Sequence, residues 1–454
     1  MNLRPAAYRR DRQTVTVRAG GATGERVRLS VYDLMTGTFA TPRTFYYRRT
    51  LDAAALRASL AATLPHYPLL TGRLVRDDDG GLSVVCADAG IPFTESHSDR
   101  TMPEYGLDRS AKQDLNSYIH RAAAFRVVGH DVPLLTVRIT HMRGGGSVLG
   151  VAINHSVVDG SGYLDFLQHW SRVHHGLQHR AAPYARTLLD HVADGAAPGA
   201  EDHSDQYALV SGRRKFGFIW RVNAGARRVR TVTLRFAADE VRALQEHARA
   251  GLAGRGPRIS AGDALSAHLW QVLAELRARP DDSTERLGMV VGLRSALRAA
   301  LPDGYWGNAV TNITPALPAG ELRRAPLADT AAAVREAVDS ITPERVRDEV
   351  AFLEAQRRAR RTHRILSRMA LDAFEGTVAL NNVSRLPVYD VDFGAGRPFW
   401  FEYPANPVPW TLLVTPTPLG DDSRDVHFSV PEDAARALVT PEWTKRLHTH
   451  APQS

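Results

Sequence analysis

Cysteine, lysine and long apolar runs are all scarce in this sequence of 454 residues. The single cysteine, Cys86, excludes an internal disulfide and leaves too few thiolates for a cysteine-based zinc site. No apolar run reaches the ~20 residues that a membrane-spanning helix requires, and the arginine-rich start of the chain lacks the apolar core of a secretory signal. These absences predict a cytoplasmic protein with no membrane partner.

Among the 57 basic residues only Lys112, Lys215 and Lys445 are lysines, and the formal net charge is +8. The arginines lie among acidic residues, and no basic run alternates with aromatic residues as on a nucleic-acid-binding surface. We therefore expect no nucleic-acid partner. A preference for arginine over lysine is typical of a GC-rich genome, so we expect a bacterial source. A local role for some arginines in binding a polyanion stays open.

The length and the alternation of patterns predict a two-domain α/β protein. A chain of 454 residues is too long for one ordinary hydrophobic core, and strand and helix patterns alternate in both halves. Between the halves, a stretch rich in alanine, proline, glycine and acidic residues is typical of a surface linker. We predict an N-terminal domain over 1–180, a linker over 181–211 and a C-terminal domain over 212–454.

Apolar periodicity and turn residues place the main elements. Three consecutive glycines between two β-branched runs predict a hairpin. The predicted strands are Leu29–Leu34, Thr44–Arg48, Leu134–Met142, Val148–Asn154, Val229–Phe236, Leu287–Gly292, Thr377–Asn381, Trp410–Thr415 and Asp425–Val430. The predicted helices are Leu51–Leu64, one after Gly160, Ala238–Ala250, Ala261–Ala278, Ala328–Ile341, Glu344–Ala370 and Glu432–Val439.

One short motif suits acid–base chemistry: His155-Ser156-Val157-Val158-Asp159-Gly160 directly follows a predicted buried strand. Alcohols and amines attack thioesters slowly at neutral pH because a proton must leave as the new bond forms. A neutral imidazole near its unperturbed pKa is suited to accept that proton. His155 is therefore the candidate general base. Asp159 either orients the ring or pairs elsewhere to hold the loop, and Gly160 supplies backbone freedom for the turn.

Other chemistries find less support in the residues. No second histidine or carboxylate stands at convincing ligand spacing from His155, so we predict no metal site. The Gly-x-Ser-x-Gly motif of serine hydrolases is absent. A histidine followed four residues later by an aspartate is common in structural positions, so the motif alone leaves a non-catalytic role open.

Further blocks accompany this motif in order along most of the chain. Together with His155–Gly160 they resemble the BAHD family of CoA-dependent acyltransferases. The blocks are Leu29–Asp33, Tyr67–Leu74, Ile259–Trp270, Gly292–Ser295 with Leu301–Val310, and Tyr389–Pro398. The last resembles the family's Asp-Phe-Gly-Trp-Gly signature, with Ala395 in place of its tryptophan.

The resemblance implies a fold and a reaction. It implies two chloramphenicol acetyltransferase-like domains, each a mixed β-sheet flanked by helices, with the active-site channel between them. Acyl-CoA would be the co-substrate, with no permanently bound cofactor, and a hydroxyl or amine of a small natural product would be the acceptor. His155 would take the acceptor's proton in the middle of the channel. We expect a monomeric enzyme of secondary metabolism.

The resemblance also assigns roles outside the motif. It implies that Asp159 turns away from the imidazole and forms a salt bridge with Arg294. Gly160 and the Asp392-Phe393-Gly394 turn would then be structural, so Asp392 and Gly394 are not expected to take part in the chemistry.

Plant members of the family have Thr-Ser-Trp at a position where this chain has Asn381-Asn382-Val383. That region lines the site in relatives and can help to hold the oxyanion of a tetrahedral intermediate. An asparagine amide can donate the same hydrogen bond, so Asn381 is the candidate oxyanion donor, with Asn382 beside it as the alternative.

The phosphates of CoA require basic side chains or N–H donors. Arg255 and Arg258 lie just before Ser260, which stands at the N-cap position of the predicted helix from Ala261. A helix N-terminus flanked by arginines suits a phosphate. These three residues are the candidate CoA contacts, although ordinary loop arginines beside an ordinary cap remain the alternative.

Three other functions stay open on the same motif. Non-ribosomal peptide condensation domains share the fold and use a carrier-protein thioester, but they usually have a second histidine where this chain has Asn154. Chloramphenicol-type acetyltransferases are related but about half as long. A non-catalytic binding protein on the same scaffold is the third alternative, and the complete His155, Asp159 and Gly160 set argues against it.

Overall fold

The computed structural model describes residues 12–102, 117–120, 126–178, 183–193, 203, 206–225, 228–252, 254, 256–403 and 406–452. Its strands are β1 Gln13–Val17, β2 Arg26–Arg28, β3 Ala40–Tyr47, β4 Arg73–Arg76, β5 Leu82–Val85, β6 Ile91–Thr101, β7 Leu135–Arg143, β8 Ser147–Asn154, β9 Tyr207–Leu209, β10 Val229–Phe236, β11 Thr284–Gly292, β12 Val310–Ile313, β13 Ala316–Pro318, β14 Ile365–Ser367, β15 Thr377–Asn382, β16 Trp400–Glu402, β17 Thr411–Pro416 and β18 Arg424–Pro431.

The helices alternate with these strands. They are α1 Val31–Thr36, α2 Ala53–Thr63, α3 Pro68–Thr71, α4 Gly160–His174, α5 Thr187–Asp190, α6 Gly212–Gly225, α7 Ala238–Gly251, α8 Ala261–Arg277, α9 Ala319–Arg324, α10 Leu327–Asp339, α11 Pro343–Arg358, α12 Arg368–Leu371, α13 Glu432–Leu438 and α14 Pro441–Leu447. Within the described residues, no helix combines the length and apolar character needed to span a bilayer.

The first large sheet is mixed, with strands in the order β1-β6-β7-β8-β3-β16. Only β6 and β7 run parallel; the other neighbouring pairs are antiparallel. The predicted hairpin joins β7 to β8, and Gly144, Gly145 and Gly146 all have positive φ, which the turn requires. Helices α2 and α4 bury apolar side chains in the same core as this sheet. The sheet therefore supports the strand that ends at His155.

The second large sheet is also mixed, in the order β10-β18-β17-β15-β11-β12, with β13 beside the other end of β11. Its central strands β17, β15 and β11 are parallel. Helices α7, α8 and α10 pack with it in a second core that encloses Trp270. Two mixed sheets flanked by helices confirm the predicted fold class.

The second half of the chain contributes to the first sheet as well. β16 pairs antiparallel with β3 at its edge, and the side chains of Val388, Val391 and Phe393 lie in the core of that sheet. Trp306 is buried there too, with its ring 5.1 Å from that of Tyr67. Because chain beyond 211 helps to complete the first core, the boundaries at 1–180, 181–211 and 212–454 stay a prediction.

The strand predicted over Leu29–Leu34 is wrong, because the chain forms helix α1 there. Ser30 is the N-cap, and its hydroxyl accepts a hydrogen bond from the Asp33 N–H at 3.3 Å. The Asp33 carboxylate accepts one from the Ser30 N–H at 3.0 Å in return. This capping box stabilises a helix start, and it outweighs the alternation of apolar residues that suggested a strand.

The helix predicted over Glu344–Ala370 is too long. α11 ends at Arg358, and two residues later Arg360 has a φ of 57°. The chain then forms β14, which pairs with β9 inside the predicted linker. Pairing with a distant segment overrides the local helix preference here. Because β9 lies in the predicted linker, the described part of that linker contains a paired strand.

Candidate active site

His155 directly follows β8, and its backbone is held on both sides. The His155 N–H donates to the Phe39 carbonyl at 2.8 Å. The His155 carbonyl accepts hydrogen bonds from the Thr36 hydroxyl at 3.0 Å and from the Asn308 amide at 2.8 Å. The ring of Phe39 meets the imidazole edge-on at 5.4 Å between centroids. The position of this imidazole is thus set by groups from both halves of the chain.

His155 is half-buried, with one ring nitrogen turned inward. Its Nδ1 is buried and has no hydrogen-bond partner among the described residues. Burial lowers the pKa of His155 from its ordinary 6.5, and its own backbone carbonyl and the charge of Asp159 oppose that shift without reversing it. The ring is therefore neutral at pH 7, the form in which it can accept a proton.

Asp159 does not hydrogen-bond to the imidazole. As the N-cap of α4, its Oδ1 accepts from the Gly162 N–H at 3.0 Å. The Ala309 N–H donates to Oδ2 at 3.0 Å. Arg294 binds both oxygens, at 2.7 Å to Oδ2 and 3.2 Å to Oδ1. The carboxylate is thus fully occupied with holding the loop, and the pair that the resemblance implied is present.

A second buried ion pair lies against the same loop, and no pattern in the sequence predicts it. Asp33 and Arg186 are 0% and 1% exposed, with Arg186 Nε 2.9 Å from Asp33 Oδ2. Arg186 also donates to the carbonyls of Trp306 and Val157. The other Asp33 oxygen accepts from the Asn308 amide at 2.7 Å. This chain of contacts links the pair to the backbone of the His155–Gly160 motif.

The sequence indicates only part of the contribution of Asp33, Arg186 and Asn308. Asp33 and Asn308 stand in blocks that carry the family resemblance, but the resemblance assigns them no role. Arg186 lies in the stretch predicted as a surface linker, where nothing in the local pattern indicates burial.

The prediction that Gly160 supplies backbone freedom for the turn is wrong. Gly160 is the first residue of α4 and is not among the glycines with positive φ. Space accounts for it instead, because a Cβ at this position would lie 3.3 Å from Leu386 Cδ1 and 3.6 Å from Arg43 Nη2. A side chain would be in ordinary contact with Arg43 and would require the end of the Leu386 side chain to shift by a few tenths of an ångström.

The candidate oxyanion donor lies at the C-terminal end of β15. Asn381 is half-buried and alternates with the core residues Val378 and Leu380, so it projects from the opposite face. None of the described contacts of His155 involves Asn381. Asn382 accepts from the N–H and hydroxyl of Ser384 at 3.1 and 2.7 Å, which engages its carbonyl and leaves its amide directed toward Gly262.

The candidate CoA contacts lie at the start of α8. Ser260 is the N-cap, as predicted, and it forms a capping box with Asp263. The Ser260 hydroxyl lies 2.7 Å from that carboxylate, so it is already engaged. Arg258 is exposed, and Arg255 lies outside the described residues.

The Asp392 turn packs against the far end of α4 from His155. The Asp392 carboxylate accepts from the N–H groups of Gly394 and Gly396 at 2.8 and 3.0 Å, and both glycines have positive φ. The Asp392 carbonyl accepts from the Ser171 hydroxyl at 2.6 Å. Ser171 follows Asp159 by twelve residues of helix, or roughly 18 Å at 1.5 Å per residue, so this turn is remote from the imidazole.

Known proteins share this sequence pattern along nearly the whole chain. A family model described as "Transferase family" matches residues 11–438. The chain belongs to the Transferase family. This membership confirms the predicted resemblance to BAHD acyltransferases and the predicted class of acyl-CoA-dependent transferase.

Two relatives show how similar this Transferase-family member is to characterised enzymes. Shikimate O-hydroxycinnamoyltransferase of Nicotiana tabacum is 27% identical over 412 residues, which cover 89% of this chain and 92% of the relative. A hydroxycinnamoyl-CoA:5-hydroxyanthranilate N-hydroxycinnamoyltransferase of Avena sativa is 29% identical over 446 residues, covering 92% and 95%. Both are plant enzymes, so they do not support the bacterial source expected from the arginine content.

Solved structures share the fold. F. graminearum TRI101, complexed with coenzyme A and T-2 mycotoxin, has a TM-score of 0.76 at 17% identity, covering 93% of this chain and 98% of that one. The first condensation domain of the calcium-dependent antibiotic synthetase has a TM-score of 0.57 at 15% identity, covering 94% and 96%. At such identities the likeness shows the fold alone. The condensation-domain function is a weaker alternative than acyl-CoA-dependent transfer, which the relatives support.

Proposed function

We propose that this protein transfers an acyl group from acyl-CoA to a hydroxyl or amine of a small natural-product acceptor, with His155 as the general base. The observation that carries this proposal is the half-buried His155 imidazole directly after β8, whose lowered pKa keeps the ring neutral at pH 7. The family membership is the reason for proposing a CoA thioester as the acyl donor. The names of the relatives, which include hydroxycinnamoyl-CoA, favour an aromatic acyl group.

The proposed reaction proceeds by direct attack. His155 takes the acceptor's proton as the acceptor oxygen or nitrogen bonds to the thioester carbon, and a tetrahedral intermediate forms. The intermediate collapses by breaking the carbon–sulfur bond, and the imidazolium returns its proton to the leaving CoA thiolate. The imidazole is neutral again at the end, so no additional cofactor is required. Asn381 is the proposed donor to the oxyanion.

Asp159 and Arg294 have a positioning role in this scheme. Their contacts hold the loop that begins at His155, and none of the Asp159 hydrogen bonds goes to the imidazole. Gly160, Asp392 and Gly394 are proposed as structural.

The proposed CoA contacts are Arg258 and the first N–H groups of α8, with Arg255 beside them in sequence. Ser260 would contribute as the cap that orders this helix start rather than as a direct donor, because its hydroxyl is engaged with Asp263. We also propose that the enzyme acts as a monomer in the cytoplasm, in secondary metabolism. The same proposal includes a channel between the two sheets, through which acyl-CoA and the acceptor reach His155 from opposite sides.

Replacement of His155 by alanine tests the general base. We expect His155→Ala to lower kcat by about 10²- to 10⁴-fold, measured as product formed from a hydroxycinnamoyl-CoA and shikimate or 5-hydroxyanthranilate. CoA affinity, measured by calorimetry, should stay near the wild-type value. His130→Ala is the matched control, because His130 is exposed. Near-normal turnover by His155→Ala contradicts the assignment.

A further inference from the structure

Arg43 is a buried cation without an ion-pair partner among the residues that the structure describes. It lies in the middle of β3 and is 5% exposed. Its Nε and Nη1 have no hydrogen-bond partner among the described residues, and no ion pair found among those residues includes it. A charged group taken out of water is costly unless another group compensates it. Such an arrangement is expected where a ligand completes the set of contacts.

Aromatic rings cover the guanidinium but leave donors at its edge. Arg43 Cζ lies 3.6 Å from the centroid of the Tyr163 ring and 5.1 Å from that of Tyr403. These cation–π contacts stabilise the charge without using its N–H groups. The hydroxyl of Tyr403 is also buried without a partner among the described residues. Two guanidinium nitrogens, which together carry three N–H bonds, and one hydroxyl therefore lie near each other without partners among the described residues.

This cluster lies on the side of the sheet from which His155 projects. Arg43 is opposite Val151 in the β3–β8 pair, and alternate residues of a strand share a face, so Val151 and His155 project the same way. Four residues separate them, or roughly 13 Å along the strand. Arg43 Nη2 also lies 3.6 Å from where a Cβ of Gly160 would be, which places it beside the catalytic motif.

We propose that Arg43, with the Tyr403 hydroxyl, binds a carboxylate of the small substrate that reacts at His155. A carboxylate matches the planar fork of an arginine and accepts two parallel hydrogen bonds from it. The carboxylate belongs either to the acceptor or to a dicarboxylic acyl group on CoA. This proposal rests on the proposed function, since it takes the reaction at His155 as given.

Matched ligand pairs test the proposal. Dissociation constants are measured by calorimetry for shikimate and 5-hydroxyanthranilate against their methyl esters, and for malonyl-CoA against acetyl-CoA. We expect wild-type protein to prefer the charged member of at least one pair, and Arg43→Gln to lower that preference about 10- to 100-fold. The pair that responds identifies the source of the carboxylate.

Two controls separate binding from folding. Arg48→Gln removes the same charge from the exposed residue after β3 and should leave the preference unchanged. Thermal unfolding of Arg43→Gln should show no loss of stability, because an uncompensated buried cation is removed. No preference in any pair, or a preference that Arg43→Gln retains, overturns the proposal.

The failure of this proposal is distinguishable from failure of the proposed function. An Arg43-dependent preference without any acyl-transfer product leaves the carboxylate site in place and contradicts the transferase reaction. The opposite outcome is acyl transfer to the acids and to their methyl esters alike, with no dependence on Arg43 in the acceptor pairs or in the acyl-CoA pair. That outcome contradicts the carboxylate site and leaves the transferase reaction in place.

Discussion

At the scale of single residues, burial without a carboxylate contact governs the protonation of His155. The imidazole Nδ1 lies in an enclosed space, and desolvation disfavours the charged ring more than Asp159 favours it. This differs from a histidine–aspartate dyad, in which the carboxylate holds the ring and raises its pKa. Here the ring is available as a base over a wider range of acidic pH.

The pH dependence of the rate follows from this shift. A lowered pKa means that His155 stays neutral below pH 6.5, so the acid limb of kcat/KM should have its midpoint below that value. The measurement is kcat/KM between pH 5 and 8 with a methyl ester acceptor, which carries no carboxylate to titrate. An acid limb at or above the ordinary histidine value would show that the imidazole is not desolvated in the working enzyme.

At the scale of elements, the junction between α4 and the loop that begins at His155 is the feature to test. Asp159 caps α4 and is 3% exposed, so loss of Arg294 leaves a buried carboxylate with only its two N–H donors. We expect Arg294→Ala to lower the free energy of unfolding by about 1–3 kcal/mol, measured by urea denaturation, and to lower kcat as the loop loosens.

Arg298 offers the matched control for this variant. It lies in the same segment and is exposed, so Arg298→Ala should leave both stability and kcat near the wild-type values. Equal stability of the Arg294 and Arg298 variants would contradict a holding role for the Asp159 pair.

The sequence predicted elements well where their cause is local. β10 and α8 follow from alternation and from a capping serine, and both begin at the predicted residue. The failures have tertiary causes. α11 ends before the predicted residue because the chain that follows it pairs with β9. β16 has only three residues, so its sequence pattern does not predict a strand, and it forms by pairing with β3.

At the scale of the whole molecule, the Asp33–Arg186 pair connects α1 to the segment predicted as the linker over 181–211. Both side chains are fully buried, so removing one leaves an uncompensated charge. We expect Asp33→Ala to cost about 3–5 kcal/mol in the free energy of unfolding, measured by urea denaturation. Replacing both partners, as Asp33→Leu with Arg186→Met, should recover a large part of that loss.

A surface pair provides the comparison. Asp339, 59% exposed in its side chain, pairs with Arg335 one helical turn away, and Asp339→Ala should change stability by at most about 0.5 kcal/mol. If Asp33→Ala proves no more destabilising than this control, the buried pair is not an important connection between the segments.

The amino-acid sequence by itself determined the family, the α/β class and the position of the candidate base, because these depend on ordered blocks and local periodicity. It also indicated the Asp159–Arg294 pair, through resemblance. Only the tertiary structure decided that Asp33, Arg186 and Asn308 support the motif from below, and that Arg43 lies buried with free donors beside it. The contacts of Asp33 with Arg186 and Asn308, of Asn308 with His155 and of Arg43 with Tyr403 join residues more than a hundred positions apart. No local pattern encodes them, and burial becomes visible only when the sheets and loops pack together.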